Sequence, residues 1–138
     1  AGVKDKADFV LDSFALLAYA QNESGAARVE SVLTQAQKGP TTIYLSLINY
    51  GEAIYITERE KGLTATQDLI ALIDQLPIAV VEADRKLTFA AAHLKAQHPI
   101  SYADAFALAQ QKQAVLLTGD PEFRRVESLV TVEWLPQA

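Results

Sequence analysis

The sequence contains no cysteine, which excludes a disulfide framework and a cysteine-based zinc site. A reducing cytoplasm is the compartment that this absence favours. Long apolar runs are absent too, since stretches such as Ala114–Leu117 and Ile78–Val81 are far shorter than the roughly 20 residues of a membrane-spanning helix. We therefore expect a cytoplasmic protein with no membrane segment.

Methionine is also absent, and the opening AGVKDKAD lacks the apolar core of a signal peptide. We leave residues 1–7 out of the fold as a flexible tail or a remnant of expression. The 138 residues suffice for one core and are too few for two comfortable ones, and half of them are hydrophobic. The expectation is a single globular domain over residues 1–138.

Basic residues are in the minority, with 12 Lys and Arg against 17 Asp and Glu and a net charge of −5. This balance argues against a protein that coats nucleic acid by bulk electrostatics. It does not exclude a nuclease, because acids gathered in one pocket bias the count while bound cations reverse their local effect.

Short apolar runs rich in Val, Ile and Tyr alternate with longer segments of helical periodicity, which is typical of a parallel sheet between helical layers. The predicted strands are Phe9–Asp12, Thr42–Leu45, Ile78–Val81, Val115–Thr118 and Val130–Trp134. With the helices between them, the order is β-α-α-β-α-α-β-α-α-β-α-β. Right-handed crossovers would wind this order into a three-layer α/β/α fold with a mostly five-stranded sheet.

Helix boundaries follow from the turn residues. Lys38-Gly39-Pro40 ends the second helix, Gly62 ends the third, and Thr64 is a possible cap for the fourth. The last two predicted helices are Ala83–Gln97 and Ser101–Gln113, separated at His98-Pro99 because a residue before proline resists helical angles.

Four acids fall where strands end or the following helices begin: Asp12 in FVLDS, Glu52 in SLINYGE, Asp104 in SYADA and Asp120 in LLTGD. In an open parallel sheet, ligands bind outside the carboxyl ends of the strands. Taken singly, Asp12 and Asp120 can be helix caps and Glu52 a solvated surface residue. Taken together, the four are expected to converge on one edge of the sheet.

Carboxylates held together need a compensating charge. Two of them ~4 Å apart repel by ~4 kcal/mol at an effective dielectric near 20, so they must protonate, pair with bases or hold a cation. Arg124 and Arg125, one turn past Asp120, are the competing ion-pair partners. Hard oxygen ligands without Cys or paired His suit Mg²⁺ or Mn²⁺, so we expect a divalent ion bound by the four acids.

At these residues the sequence resembles the PIN domain family, and in particular the small toxin nucleases of toxin–antitoxin pairs. The resemblance runs over nearly the whole chain and rests on five segments: VLDSFALLAY, SLINYGEAIY, SYADAFALA, LLTGDPEF and VTVEWL. It implies a parallel sheet between helices, a Mg²⁺ or Mn²⁺ site and ribonuclease activity that leaves 5′-phosphate and 3′-hydroxyl ends. By this resemblance Asp12, Glu52, Asp104 and Asp120 are the metal-binding and catalytic set.

The resemblance also implies flanking residues and partners. Ser13, Asn49 and Thr118 match polar positions beside the site, and Asn49 shares a helix face with Glu52, from which it would steer substrate or water. The expected partners are an RNA substrate, an antitoxin protein and a second copy in a homodimer. Candidate cations for the RNA backbone are Arg28, Arg59, Lys61, Arg85, Lys86, Arg124 and Arg125.

Two other functions stay open. One is a catalytically weak protein-binding module, for which Tyr19, Tyr50 and Tyr55 are candidate anchors if they are exposed. The other is an RNA-maturation nuclease outside a toxin system. A receiver domain is disfavoured, because neither a pair of acids after the first strand nor a lysine after a late strand appears. An Asp-x-Asp phosphatase is disfavoured, because VLDSF places Phe14 where the second acid belongs. His93 and His98 have no matched ligand pair.

Overall fold

The computed structural model describes residues 7–110 and 113–136. Its strands are β1 (Asp8–Leu11), β2 (Ile43–Ser46), β3 (Ala79–Val81), β4 (Ala114–Thr118) and β5 (Val132–Trp134). Its α-helices are α1 (Ser13–Ala20), α2 (Ala26–Lys38), α3 (Leu47–Lys61), α4 (Leu63–Asp74), α5 (Arg85–Gln97) and α6 (Tyr102–Ala109). A 3-10 segment at Pro121–Leu129 joins β4 to β5.

The five strands form one parallel sheet in the order β3-β2-β1-β4-β5, which confirms the predicted fold class. Phe9 in β1 pairs with Ile43 in β2 on one side and with Val115 in β4 on the other. The strand order therefore reverses at β1 and β4. Ligand sites of doubly wound sheets lie at the carboxyl ends of such a pair.

Alternation along β1 separates the two halves of the core. Phe9 and Leu11 pack with the buried faces of α1 to α4, whereas Val10 packs on the other side of the sheet with α5, α6 and Phe123. Because successive side chains of a strand point to opposite faces, one central strand serves both layers. The sheet is therefore covered on both faces around β1.

Apart from shifts of one or two residues at the ends of elements, three features differ from the predictions. The predicted cap Thr64 lies inside α4, because Gly62 with φ of 93° ends α3 and α4 begins at the next residue. The helix predicted to reach Gln113 ends at Ala109, and residues 111–112 lie outside the described part of the chain. The segment after Asp120 is a 3-10 helix rather than an α-helix.

The amino-terminal tail predicted over residues 1–7 falls almost entirely outside the described residues, which begin at Ala7. Ala7 itself packs against the core. Among the helices described between residues 7 and 136, none has both the length and the apolar character needed to cross a membrane.

Candidate metal centre

Asp12 and Asp120 follow the two strands at the switch point and cap the helices that come next. An oxygen of Asp12 accepts from the Ala15 N–H at 2.9 Å, and an oxygen of Asp120 accepts from the Glu122 N–H at 2.9 Å. The capping interpretation is therefore correct for both residues. It does not compete with a role in a site, because each carboxylate oxygen has a second lone pair.

Asp104 reaches the same edge from α6. Ser101 caps this helix by accepting from the Asp104 N–H at 3.1 Å, which places Asp104 in the first turn. One carboxylate oxygen from each of Asp12, Asp104 and Asp120 lies within 4.8 Å of the others. Asp12 is 1% and Asp104 5% exposed. Three segments distant in sequence thus bring three carboxylates together, as predicted for these residues.

Thr118, the last residue of β4, joins two of these acids. Its hydroxyl donates to the second oxygen of Asp12 and accepts from the Asp120 N–H at 3.0 Å. The side chain is fully buried. Thr118 therefore fixes the orientation of Asp12 relative to the turn that carries Asp120.

Glu52, the fourth predicted acid, lies outside this group of three as far as the described residues show. The Ser13 hydroxyl donates to its Oε1 at 2.5 Å, which holds the carboxylate against the start of α1. Glu52 nevertheless lines the same cleft as Asp104 and Asp120. Ser13 and Glu52 therefore form a wall of the site beside the three-carboxylate cluster.

Asn49 is buried rather than exposed to the cleft. Its Oδ1 accepts from the Ser46 hydroxyl at 2.7 Å, and its Nδ2 donates to the Ala103 carbonyl at 3.0 Å. The amide thus ties the start of α3 to the residue before Asp104. This geometry favours support of α6 over the contact with substrate or water expected from the sequence.

Glu122 is a further acid of the cleft that sequence reasoning missed. It lines the cleft with Asp104 and Asp120, and its Oε1 accepts from the Ser101 N–H at 2.8 Å. The only sequence signal is its position two residues after Asp120. In a turn before a helix, an acid there looks like an ordinary first-turn residue.

Burial dominates the electrostatics of the cluster. It raises the pKa of Asp12 from 3.8 to about 7, against the opposing hydrogen bond from Thr118. Burial, then the hydrogen bond to Glu122 and the charges of Asp120 and Asp12, raise the pKa of Asp104 to about 9. The pKa of Glu122 is lowered, first by its bond with Asp104. Near neutral pH the cluster therefore retains protons that a bound cation would displace.

The arginines predicted as competing partners are engaged elsewhere. Arg125 donates to the Pro99 carbonyl at 2.8 Å, and Arg124 lies over the Trp134 ring and 3.4 Å from Glu127. Within residues 7–110 and 113–136, neither forms an ion pair with Asp120. Three clustered carboxylates without a basic partner in that part of the chain match the hard oxygen donors that Mg²⁺ and Mn²⁺ prefer.

The cleft over the cluster has a volume of about 370 Å³ and includes Phe14 and Leu17 of α1 in its walls. A cleft of about 700 Å³ lies elsewhere, against Asp8, Tyr44 and Lys86, and none of the predicted site residues lines it. We place the site at the smaller cleft, because convergent polar groups with perturbed pKa values identify a site better than volume does.

The turn that carries Asp120 depends on a close approach at Gly119. A Cβ placed there would lie 2.3 Å from the Phe14 ring. No ordinary carbon contact is that short, so the turn requires a residue without a side chain. The packing of α1 against this turn thus helps to set the position of Asp120.

The three tyrosines considered as anchors of a binding module differ in their exposure to solvent. Tyr50 is buried at 6% exposure, and Tyr19 is half-buried against the core. Tyr55 alone of the three is largely exposed, at 53%, with Arg59 over its ring. The three therefore do not form the exposed set that this alternative requires.

Comparison with known protein families shows to which family the chain belongs. Residues 9–129 match the family model described as PIN domain. The chain belongs to the PIN domain family. This match spans all four predicted acids and Glu122, so the carboxylate cleft lies within the matched region of this PIN domain.

Solved structures extend the likeness at low identity. A chain of VapBC2 from Rickettsia felis, bound to a DNA fragment from its promoter, has 17% identity and a TM-score of 0.72, covering 94% of this PIN domain chain and 99% of its own. VapC20 of Mycobacterium tuberculosis, a toxin that cleaves the sarcin–ricin loop, has 18% identity and a TM-score of 0.72, with coverages of 93% and 99%. DNA-bound VapBC of Salmonella typhimurium has 17% identity, a TM-score of 0.69, and coverages of 92% and 97%.

Curated protein sequences give no significant match to the chain. At identities below 20%, the structural neighbours establish a shared fold. They do not by themselves transfer an activity or a substrate to this PIN domain.

Proposed function

We propose that this PIN domain protein is a Mg²⁺- or Mn²⁺-dependent endoribonuclease and the toxin of a toxin–antitoxin pair. The observation that carries the proposal is the cluster of Asp12, Asp104 and Asp120, whose carboxylate oxygens lie within 4.8 Å of one another at the carboxyl edge of the sheet. Family membership and the likeness to VapC20, itself a nuclease toxin, support the reaction class.

Asp12, Asp104 and Asp120 are the residues that would hold the cation. A bound divalent ion acidifies water and offsets the negative charge that builds on phosphate oxygens during hydrolysis. Glu52 lines the cleft, and in this proposal its carboxylate would accept a proton from the attacking water. Ser13 keeps that carboxylate in place, and Thr118 does the same for Asp12.

Cleavage of RNA tests the proposal directly. Asp12→Asn preserves the size and capping acceptor of the side chain and removes its charge, so we expect loss of cleavage with the fold intact. Asp68→Asn, at an exposed position of α4, is the matched control and should cleave normally. Measurement with Mn²⁺, with Mg²⁺ and with chelator decides the outcome. Undiminished cleavage by Asp12→Asn, or cleavage in chelator, would refute the assignment.

An antitoxin partner is supported by the structural neighbours, several of which are VapBC complexes. We expect induction of this chain alone to arrest bacterial growth and Asp12→Asn to relieve the arrest. We also propose a homodimer, for which light scattering on the purified protein is the test. Cleavage without growth arrest would instead favour an RNA-maturation nuclease, and absence of Mn²⁺ stabilisation would favour a binding module.

A further inference from the structure

The loop over residues 98–101 determines where Asp104 lies. It connects α5 to α6 and ends at Ser101, whose hydroxyl accepts from the Asp104 N–H. Asp104 is therefore only one helical turn from the loop, and a shift of the loop moves its carboxylate. The cleft also reaches this loop, since Ser101 lines it beside Asp104.

Two cationic side chains donate to backbone carbonyls of the loop. Lys95, at the end of α5, donates to the Ile100 carbonyl at 2.9 Å. Arg125, in the 3-10 segment, donates to the Pro99 carbonyl at 2.8 Å. These contacts fix the backbone of the loop, but neither is a contact to a carboxylate of the cluster.

Glu122 makes the third contact to the loop, and it does so with a carboxylate that accepts from a backbone N–H. Its Oε1 accepts from the Ser101 N–H at 2.8 Å, and its side chain lines the cleft together with Asp104. Its own N–H donates to Asp120 at 2.9 Å. The Glu122 side chain thus holds Ser101, which caps the helical turn that carries Asp104, while the Glu122 backbone binds Asp120.

We propose that Glu122 is a positioning residue that fixes the carboxylate of Asp104 relative to Asp12 and Asp120 before a cation binds. This inference rests on the proposed function. Glu122 lies outside the group of oxygens within 4.8 Å of one another, so its place is beside the ligand set. Partners of metal ligands commonly alter metal affinity by about 10- to 100-fold when they are removed.

Two substitutions separate positioning from other roles. Glu122→Gln retains an oxygen for the Ser101 N–H and gains an amide that can donate to the Asp104 carboxylate. Glu122→Ala loses the acceptor for the Ser101 N–H and the polar side chain beside Asp104. We expect Glu122→Ala to weaken Mn²⁺ binding by about 10-fold or more and Glu122→Gln by less than about threefold.

The readout is the Mn²⁺ dissociation constant, obtained from calorimetry and from the melting temperature across a Mn²⁺ titration. Glu60→Ala, which removes an exposed acid of α3, controls for the change in net charge. If Glu122→Ala does not fold, Glu122→Asp replaces it. The aspartate keeps the charge but is too short to keep both contacts, so it should bind Mn²⁺ more weakly than Glu122→Gln.

The outcomes are distinct. Equal loss of Mn²⁺ affinity in Glu122→Gln and Glu122→Ala would make Glu122 a ligand and overturn the inference. A lower melting temperature without Mn²⁺, combined with an unchanged dissociation constant, would reduce Glu122 to a structural brace and overturn it too. Failure of the wild-type protein to bind Mn²⁺ would instead refute the proposed function itself, before any variant is compared.

Discussion

Removing the charge of Asp12 should make the metal-free protein more stable. The carboxylate is 1% exposed, and its pKa rises from 3.8 to about 7, chiefly through burial. The folded state therefore binds a proton that the unfolded state releases above pH ~4. The contribution of this proton to the free energy of unfolding is fully present below pH ~4 and is lost as the pH rises towards 7. Asp12→Asn remains neutral throughout and escapes this loss.

The size of the effect follows from the shift. Roughly three pKa units at ~1.4 kcal/mol each correspond to ~4 kcal/mol at pH 8. Relaxation around the charge and its coupling to Asp120 reduce this, so we expect a gain of ~2 kcal/mol or more. For a chain of this length, ~2 kcal/mol corresponds to about 6–10 °C in melting temperature. Asparagine can keep the bond from the Ala15 N–H, and the hydroxyl of Thr118 can rotate to accept from the new amide.

Thermal unfolding followed by circular dichroism in chelator is the assay, at pH 4 and at pH 8. Asp12→Asn and the wild type should differ little at pH 4 and by the full amount at pH 8, whereas Asp68→Asn should match the wild type at both. Saturating Mn²⁺ should stabilise the wild type and leave Asp12→Asn unchanged. A variant no more stable than the wild type at pH 8, or an equal difference at both pH values, would refute the reasoning.

Three further substitutions probe how the cluster is held. Gly119→Ala should sharply lower Mn²⁺ affinity and cleavage, because the added Cβ overlaps the Phe14 ring. Phe14→Ala in the same chain should restore part of both. Absence of any recovery in the double variant would contradict this packing. Thr118→Val removes the hydrogen bond that lowers the pKa of Asp12. The midpoint of the rising limb of the pH–rate profile should therefore move to higher pH, and an unchanged midpoint would contradict this role of Thr118. Asn49→Ala leaves buried partners unsatisfied and should cost ~1–3 kcal/mol in urea unfolding, a value that an effect near zero would exclude.

The sheet was predictable because its strands are short apolar runs between strong turn residues. All five predicted strands are present, and the acids that follow β1 and β4 meet as expected. The boundary at Thr64 was not predictable from local preference alone. Gly62 both ends α3 and starts α4, so no room remains for a separate capping residue.

The finer arrangement of the site depends on contacts between distant residues. Glu52 is held by Ser13, 39 positions earlier, and Glu122 contacts Ser101, 21 positions earlier. Neither contact can be predicted from a local sequence pattern, since both depend on how the helices pack. Asn49 was expected at the cleft because it shares a helix face with Glu52, yet packing against α6 buries its amide.

The central position of β1 has a consequence for the protein during its synthesis. One edge of this strand pairs with β2, but the other must wait for β4, more than a hundred residues later. A nascent chain that ends before β4 would lack Thr118 and Asp120, so the cluster of three carboxylates around Asp12 would be incomplete. The cluster is therefore completed only when almost the last strand has been made, and such long-range pairing favours late, cooperative folding.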